Sequence, residues 1–322
     1  MLYPLKFKPI LEERIWGGHQ LGEKMGKKLP AGKLIGESWE ISSVPGNISV
    51  ISNGKLAGNT LEELIEVYMG DLVGDKIYNK FGLLFPLLIK LIDAQDALSI
   101  QVHPNDQLAK ERHNSYGKTE MWYIVDAEKD AQLCLGFNRP VTKEEYLKHV
   151  ADGTLADILA RVPVKQDDAY FIPAGAIHAI GKGILIAEIQ QTSDITYRVF
   201  DWNRVDKNGK SRELHTELAV DAINFAPDQH YDITHQPEVN RSVNLVECPY
   251  FTTNVVEVKG ELTRSYEALD SFVIYMVLDG DLTMKWKDGS EQATKGETVL
   301  VPACIDEMTL EGNAKLLEIF ID

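Results

Sequence analysis

The chain has 322 residues, 44% of them apolar and 25% charged, which is enough for two domains or one large β architecture with a substantial core. Its 33 basic residues are outnumbered by 49 acidic ones, a formal net charge of −16. A field of that sign argues against nucleic acid and anionic membrane as partners, and any anionic ligand must be held by a local group of Lys and Arg.

The N-terminal stretch "MLYPLKFKPILEERIWGG" lacks the basic-then-apolar layout of a secretory signal, and no apolar run reaches bilayer-spanning length, so a cytoplasmic protein is expected. "KLIGESWEISSV" reads as strand. "NTLEELIEVYMGDLVG" opens with an Asn/Thr cap and repeats apolar residues at helical spacing. "FPLLIKLIDA", "LSIQVH", "MWYIVDA" and "AQLCLGF" return to strands, with β-branched and aromatic residues between Gly, Pro, Asp and Asn turn signals. "TKEEYLKHVADGTLADILARV" has a Thr cap followed by acids and predicts two short helices broken near Gly153. "DAYFIPAG" and "GILIAEIQQ" predict further strands, and "ELHTELAVDAINF" a last helix. Cys134, Cys248 and Cys304 are scattered, odd in number and without CxxC spacing, so they read as small buried hydrophobes in a reducing compartment.

A weak internal repeat organises these elements. "DDAYFIPAGAIHAIG" (Asp167–Gly181) resembles "KGETVLVPACIDEMTL" (Lys295–Leu310), and "MWYIVDAEKDAQL" pairs similarly with "VIYMVLDGDLTMKW". Two copies of strand, turn, strand, Pro-Ala, strand predict two small β-barrels in tandem, with helices inserted in the first. The polar segment "HYDITHQPEVNRS" (His230–Ser242) is the expected joint, dividing the chain into 1–235 and 236–322.

Six of the eight histidines, His19, His113, His149, His215, His230 and His235, have no partner at ligand spacing, and surface positions are expected for them. His178 is different. It follows the turn shaped by Pro173 and Gly175, while Gln101 and His103 stand two apart on a strand and so share a face. Glu120 begins another strand. A lone His178 reads first as a hydrogen-bonded core residue. Together the four offer two neutral nitrogens, a carboxylate and an amide oxygen, a set that suits zinc or another borderline divalent ion with positions left open. Buried without an ion, they would need many partners to offset desolvation. Aligning the repeat puts Val273 at the place of Glu120 and Asp306 at or next to that of His178. The second copy keeps the fold pattern and loses the ligand set, which favours a functional site in the first.

These segments carry a resemblance. "P-x-G-x-x-H" at Pro173–His178 resembles the second metal motif of cupins. "LSIQVHPND", "GKTEMWYIV", "FIPAGAIHAI" and "AEIQQTSDITYRVFDWNR", with "ERIWGG" and "GESWEIS" before them, resemble the bacterial short form of the type I phosphomannose isomerases. The likeness covers most of residues 1–204 and is looser beyond. It implies tandem jelly-roll (cupin) barrels: a metal-binding catalytic half, 1–235, with helical insertions, and a degenerate second half, 236–322, without metal ligands. It also implies one zinc per chain held by Gln101, His103, Glu120 and His178, and a pocket containing Arg198 and Lys118. Glu188 matches a further acidic position, and Trp16, Lys90 and Ser99 match lining residues.

The implied reaction interconverts mannose 6-phosphate and fructose 6-phosphate through a cis-enediol(ate). Arg198 suits either oxyanion stabilisation or a grip on phosphate, and beside Tyr197 and Phe200 it reads equally as a stacked structural arginine. Lys118 suits phosphate binding, or proton transfer if desolvation lowers its pKa. Glu188 is either an acid–base group or a partner that orients Lys118 or Arg198. A small basic pocket of Lys90, Lys118 and Arg198 on an acidic surface is expected, with Trp16 on its wall and Trp39 and Trp122 in the core. The alternatives are another metal-dependent cupin enzyme acting on a sugar phosphate, or a non-catalytic bicupin that binds one. A hexose phosphate is the expected partner, and the chain is expected to be a monomer or small homo-oligomer.

Overall fold

Strands dominate the computed structural model, which describes residues 2–205, 209–226 and 229–322, and they build two successive jelly-roll halves. In the first half a seven-stranded sheet runs in the order Asp232–Ile233, Ala169–Ile172, Glu120–Ala127, Ile184–Gln191, Leu87–Ala94, Ile35–Ile41, Ile10–Gly18. It faces a five-stranded sheet of Leu159–Pro163, Gln132–Phe137, His178–Ile180, Ile100–Val102 and Tyr197–Phe200. Ile92, Trp122, Ile124 and Ile186 from the larger sheet meet Leu133, Leu135 and Ile180 from the smaller in one buried cluster. The alternate side chains of the larger sheet, Ile89, Leu91, Met121, Leu185 and Ile189 among them, point the other way. They pack against the helix Leu61–Tyr68 and against Phe272, Ile274 and Leu317 of the second half. Both faces of the central strands are therefore covered, which is why "LLIKLIDA" and "ILIAEIQQ" show no polar alternation.

The second half is one seven-stranded sheet built on three long strands, Thr252–Ser265, Val273–Trp286 and Glu307–Phe320. Leu5–Lys6, from the start of the chain, joins this sheet opposite Leu300 and Val299. A single core cluster runs through both halves. The chain passes from one sheet to the other between Asp232–Ile233, which pairs with Ala169–Tyr170, and Ser242–Glu247, which pairs with Thr252–Ser265.

Local signals account for most helices. Thr60 and Glu63 form a reciprocal capping box ahead of Leu61–Tyr68, and Thr142 caps Lys143–Ala151. Gly153, at φ +69°, ends that second helix, and a 3-10 turn, Leu155–Ile158, stands where another α-helix is expected. The last expected helix is Thr216–Ala222. Asp106–His113 carries no apolar pattern, because only Ala109 on it is buried; the Asn105 side chain starts it by accepting from Leu108 N–H. "HPND" is thus a helix cap as well as a turn.

The internal repeat has a structural counterpart. Glu120 stands opposite Ile172 in the first half, and Val273 opposite Val301 in the second. Counting onward equally from Ile172 and Val301 reaches His178 and Glu307, so Glu307 holds the place of His178 and Asp306 adjoins it.

Leu5 is fully buried in the strand that ties the N-terminus to the second sheet. Leu5→Ala is expected to cost about 2–4 kcal/mol, read as a lower urea midpoint. An unchanged midpoint would mean that this strand contributes nothing to joining the halves.

Candidate metal centre and cleft

Backbone pairing assembles the centre. His178 stands opposite Gln101, and Gln101 stands opposite Arg198 on its other side. Gly175, at φ +89°, lets the turn before His178 pass close to Ala222; an added Cβ would lie 2.9 Å from the Ala222 carbonyl oxygen. The Gly175 N–H donates to the His103 carbonyl at 2.9 Å, so the turn before one histidine is tied to the other.

His103, Glu120 and His178 are all essentially fully buried, and their ligand-type atoms lie within 4.8 Å of one another. The Glu120 Oε1 is 3.4 Å from His178 Nε2 and 3.8 Å from His103 Nε2. Each imidazole is oriented from behind, His103 Nδ1 by the Ile195 carbonyl at 2.9 Å and His178 Nδ1 by the Ala176 carbonyl at 3.0 Å. That assigns the proton to Nδ1 and aims an Nε2 lone pair inward on both rings. Burial, then the Lys118 charge, holds His103 well below the usual imidazole range, and burial holds His178 down at about 4. Both rings are neutral at neutral pH, as metal ligation requires. The Gln101 amide lies 3.2 Å from His178 Nε2, and a half-turn of it presents oxygen in place of nitrogen.

Glu120 is fully buried; the Lys118 ammonium lies 3.0 Å from Oε2, and Oε1 has no hydrogen-bond donor. Burial raises this carboxyl to about 7 against the pull of Lys118. A buried carboxylate with Oε1 left without a donor, facing two inward lone pairs, is what a divalent cation would complete. The residues fit the ion.

A cleft of about 620 Å³ opens beside this centre, and Trp16, Lys90, Ser99, Gln101, Lys118, Glu188 and Arg198 all line it. Glu188 accepts from Lys90 Nζ at 3.1 Å and from Trp122 Nε1 at 2.9 Å. Burial acts to lower the Lys118 ammonium, but Glu120 and Glu188 reverse the sign and hold it above its ordinary value. Arg198 is half-buried; it donates to the Glu213 carbonyl at 3.0 Å and leaves Nε without a partner. After burial, the neighbouring Arg212 does most to pull its guanidinium down.

Several lining residues carried no signal in the sequence. Arg212, held by Asp201, and His215, whose Nδ1 accepts from the Arg198 backbone at 3.1 Å, come from an irregular segment. His215 is therefore part of the cleft and not a surface residue. Arg14 comes from the edge strand Ile10–Gly18 and Glu37 from its neighbour Ile35–Ile41, and they pair at 3.0 Å. Lys90, Lys118 and Arg198 line the cleft together, and the wall around them is mixed in sign, with Glu12, Glu13, Asp194 and Asp201 among the cations. Trp122 is in the core, as expected, whereas Trp39 also lines the cleft, with Lys90 Nζ 5.2 Å from its ring centre.

Residues 4–134 match the phosphomannose isomerase type I catalytic domain, and residues 241–321 match the mannose-6-phosphate isomerase cupin domain. The chain is 39% identical over 320 residues to mannose-6-phosphate isomerase ManA of Bacillus subtilis, covering 98% of each. It is 34% identical over 320 residues to mannose-6-phosphate isomerase of Streptococcus mutans, again covering 98% of each. The crystal structure of mannose 6-phosphate isomerase from Bacillus subtilis superposes with a TM-score of 0.89, at 34% identity and 99% coverage of each chain.

Burial acts to raise the Glu188 carboxyl, but Lys90 and then Lys118 outweigh it and bring it from 4.5 down to about 2. Because the folded value is the lower, its contribution to stability is complete above about 4.5 and is lost as pH falls through about 2. In urea titrations at stepped pH, Glu188→Gln is expected to flatten the fall in stability between those values. An unchanged slope would mean that the carboxylate is not held by these ammonium groups.

Proposed function

Since the chain belongs to the type I phosphomannose isomerases, a family of aldose–ketose isomerases, we propose that it interconverts mannose 6-phosphate and fructose 6-phosphate through a cis-enediol(ate). The ion is zinc, one per chain, held by Gln101, His103, Glu120 and His178. The observation that carries this reading is the Glu120 carboxylate, fully buried with only the Lys118 ammonium beside it and two Nε2 lone pairs facing it, at the edge of a cleft lined by Lys and Arg.

When bound, the ion supplies Lewis acidity at the sugar's carbonyl and hydroxyl oxygens. The side chains do the rest. Lys118 keeps its proton and sets a fixed positive charge beside the position where O1 and O2 become negative. Arg198, with Nε unpartnered, offers N–H groups to an oxyanion or to the phosphate. Lys90, fixed by Glu188 and lying over Trp39, supplies a second ammonium to the cleft wall. Trp16 and Ser99, both almost fully buried, close the wall around the sugar and keep bulk water from the reacting carbons. The nearby cations outweigh a net charge of −16 because distant surface acids are screened over about 8–10 Å. No helix among the described residues is long and apolar enough to cross a membrane. A cytoplasmic enzyme acting as a monomer or small homo-oligomer fits this reading.

A coupled assay of mannose 6-phosphate conversion should show activity that disappears on chelation and returns when zinc is restored; activity that survives complete removal of metal would sink the metal role. His103→Ala and His178→Ala should each lose metal and turnover together, with metal content measured directly, and full occupancy in either would make the ligand assignment wrong. Arg198→Ala should keep its metal and lose at least about 100-fold in kcat/KM. Unchanged turnover would return Arg198 to a structural role.

A further inference from the structure

Two glutamates occupy the same place in the two halves, and only one of them stands near a metal centre. Glu188 lies on the strand Ile184–Gln191 with Lys90 opposite on one side and Trp122 on the other. Glu318 lies on the strand Glu307–Phe320 with Asn254 opposite on one side and Tyr275 on the other. The two sheets run in the same strand order, and the registers agree position by position: Trp122 is to Tyr170 as Tyr275 is to Val299. The cross-strand neighbours differ between the halves, while the glutamate and the isoleucine after it, Ile189 and Ile319, are common to both.

The two carboxylates make the same kind of contacts. Glu188 is 3% exposed and Glu318 is 1%. Each accepts from the aromatic neighbour, Trp122 Nε1 at 2.9 Å in the first half and the Tyr275 hydroxyl at 2.8 Å in the second. Each accepts from the other neighbour, Lys90 Nζ at 3.1 Å and Asn254 Nδ2 at 3.0 Å. Arg264 supplies the counter-charge in the second half through two hydrogen bonds of 3.0 and 3.1 Å to Glu318. The ligand positions have changed meanwhile, Glu120 giving way to Val273 and His178 to Glu307. A carboxylate at this place is therefore retained where the metal ligands are not.

We propose that Glu188 is a positioning residue: its carboxylate clamps three adjacent strands and holds Lys90 and Trp122 in the wall of the cleft, and it does not carry the proton between C1 and C2. This rests on the isomerase reading above. The geometry supports the clamp directly. One oxygen accepts from an ammonium and the other from an indole N–H, which fixes the carboxylate's orientation toward the wall. Without the carboxylate, the Lys90 ammonium would lose its partner in a buried wall.

The test compares Glu188→Gln, Glu188→Ala and Glu318→Gln in the zinc-loaded full chain. Glu188→Gln keeps the shape and one acceptor oxygen while removing the charge. It is expected to lower the melting temperature, to raise KM for mannose 6-phosphate roughly tenfold, and to keep kcat within about tenfold of wild type with both limbs of the pH profile in place. Glu188→Ala should lose most of the activity that Gln retains. Glu318→Gln should lower the melting temperature as well and leave kcat and KM unchanged. A kcat loss of about 10³-fold or more in Glu188→Gln, with one limb of the pH profile gone, would mark a general base and overturn the proposal. So would an unchanged melting temperature in that variant. A zinc-loaded wild type inert toward mannose 6-phosphate would sink the isomerase reading instead, and the melting temperatures of Glu188→Gln and Glu318→Gln would still decide whether the clamp exists.

Discussion

The site is organised around a carboxylate that has been taken out of water with a single ammonium beside it. Glu120 begins a strand in the middle of the larger sheet, where both faces are covered. Burying an ionised carboxylate costs several kcal/mol even after relaxation, and here only the Lys118 ammonium opposes that cost, since the two neutral imidazoles turn lone pairs toward it. Each neighbouring feature answers that constraint. The imidazoles are turned by backbone carbonyls behind them, Lys118 is kept charged by the acids in front of it, and Gln101 is brought alongside by its pairing with His178.

Charge is managed locally. The chain carries −16 overall, yet the cleft collects Arg14, Lys90, Lys118, Arg198 and Arg212 within one concavity. Acids accompany them: Glu188 holds Lys90, Glu37 holds Arg14, and Asp201 holds Arg212. These acids keep the long cationic side chains in place before any anion arrives, so less conformational freedom is lost on binding. They also let several positive groups share a pocket without the protein bearing their full mutual repulsion. Arg198, with an unpartnered Nε, is the exception in this arrangement.

The second half shows which parts of this design are scaffold. Its strand order and registers reproduce those of the first, while its interior is largely apolar, with Val273, Val277, Met284 and Leu316 in one cluster. Its buried glutamate survives with an arginine as counter-charge. A lattice of antiparallel strands tolerates exchange of the side chains it presents so long as volume and hydrogen bonding are satisfied. The second half also covers the outer face of the first, through Phe272, Ile274 and Leu317, and so keeps dry the sheet on which Glu120 stands.

The strand-rich class, the capped helices, the repeat and the metal-ligand candidates are all legible in the amino-acid order. Those signals are local, because side-chain alternation, cap residues and the two-residue spacing of Gln101 and His103 depend only on neighbours along the chain. Other elements have no such local mark. The helix Asp106–His113 buries a single residue, and the second part of the "TKEEYLKHV" segment closes as a 3-10 turn once Gly153 takes a positive φ. Arg14 and Glu37 lie on paired strands and Arg212 and His215 in irregular chain, and no side-chain pattern singles them out as cleft residues. That they share a cleft with Lys90 and Arg198, that Lys118 stays protonated, and that Glu188 and Glu318 are counterparts emerge only from the folded arrangement. Those facts depend on cross-strand register and on which charges burial brings together, and both are set by contacts between residues far apart in the chain.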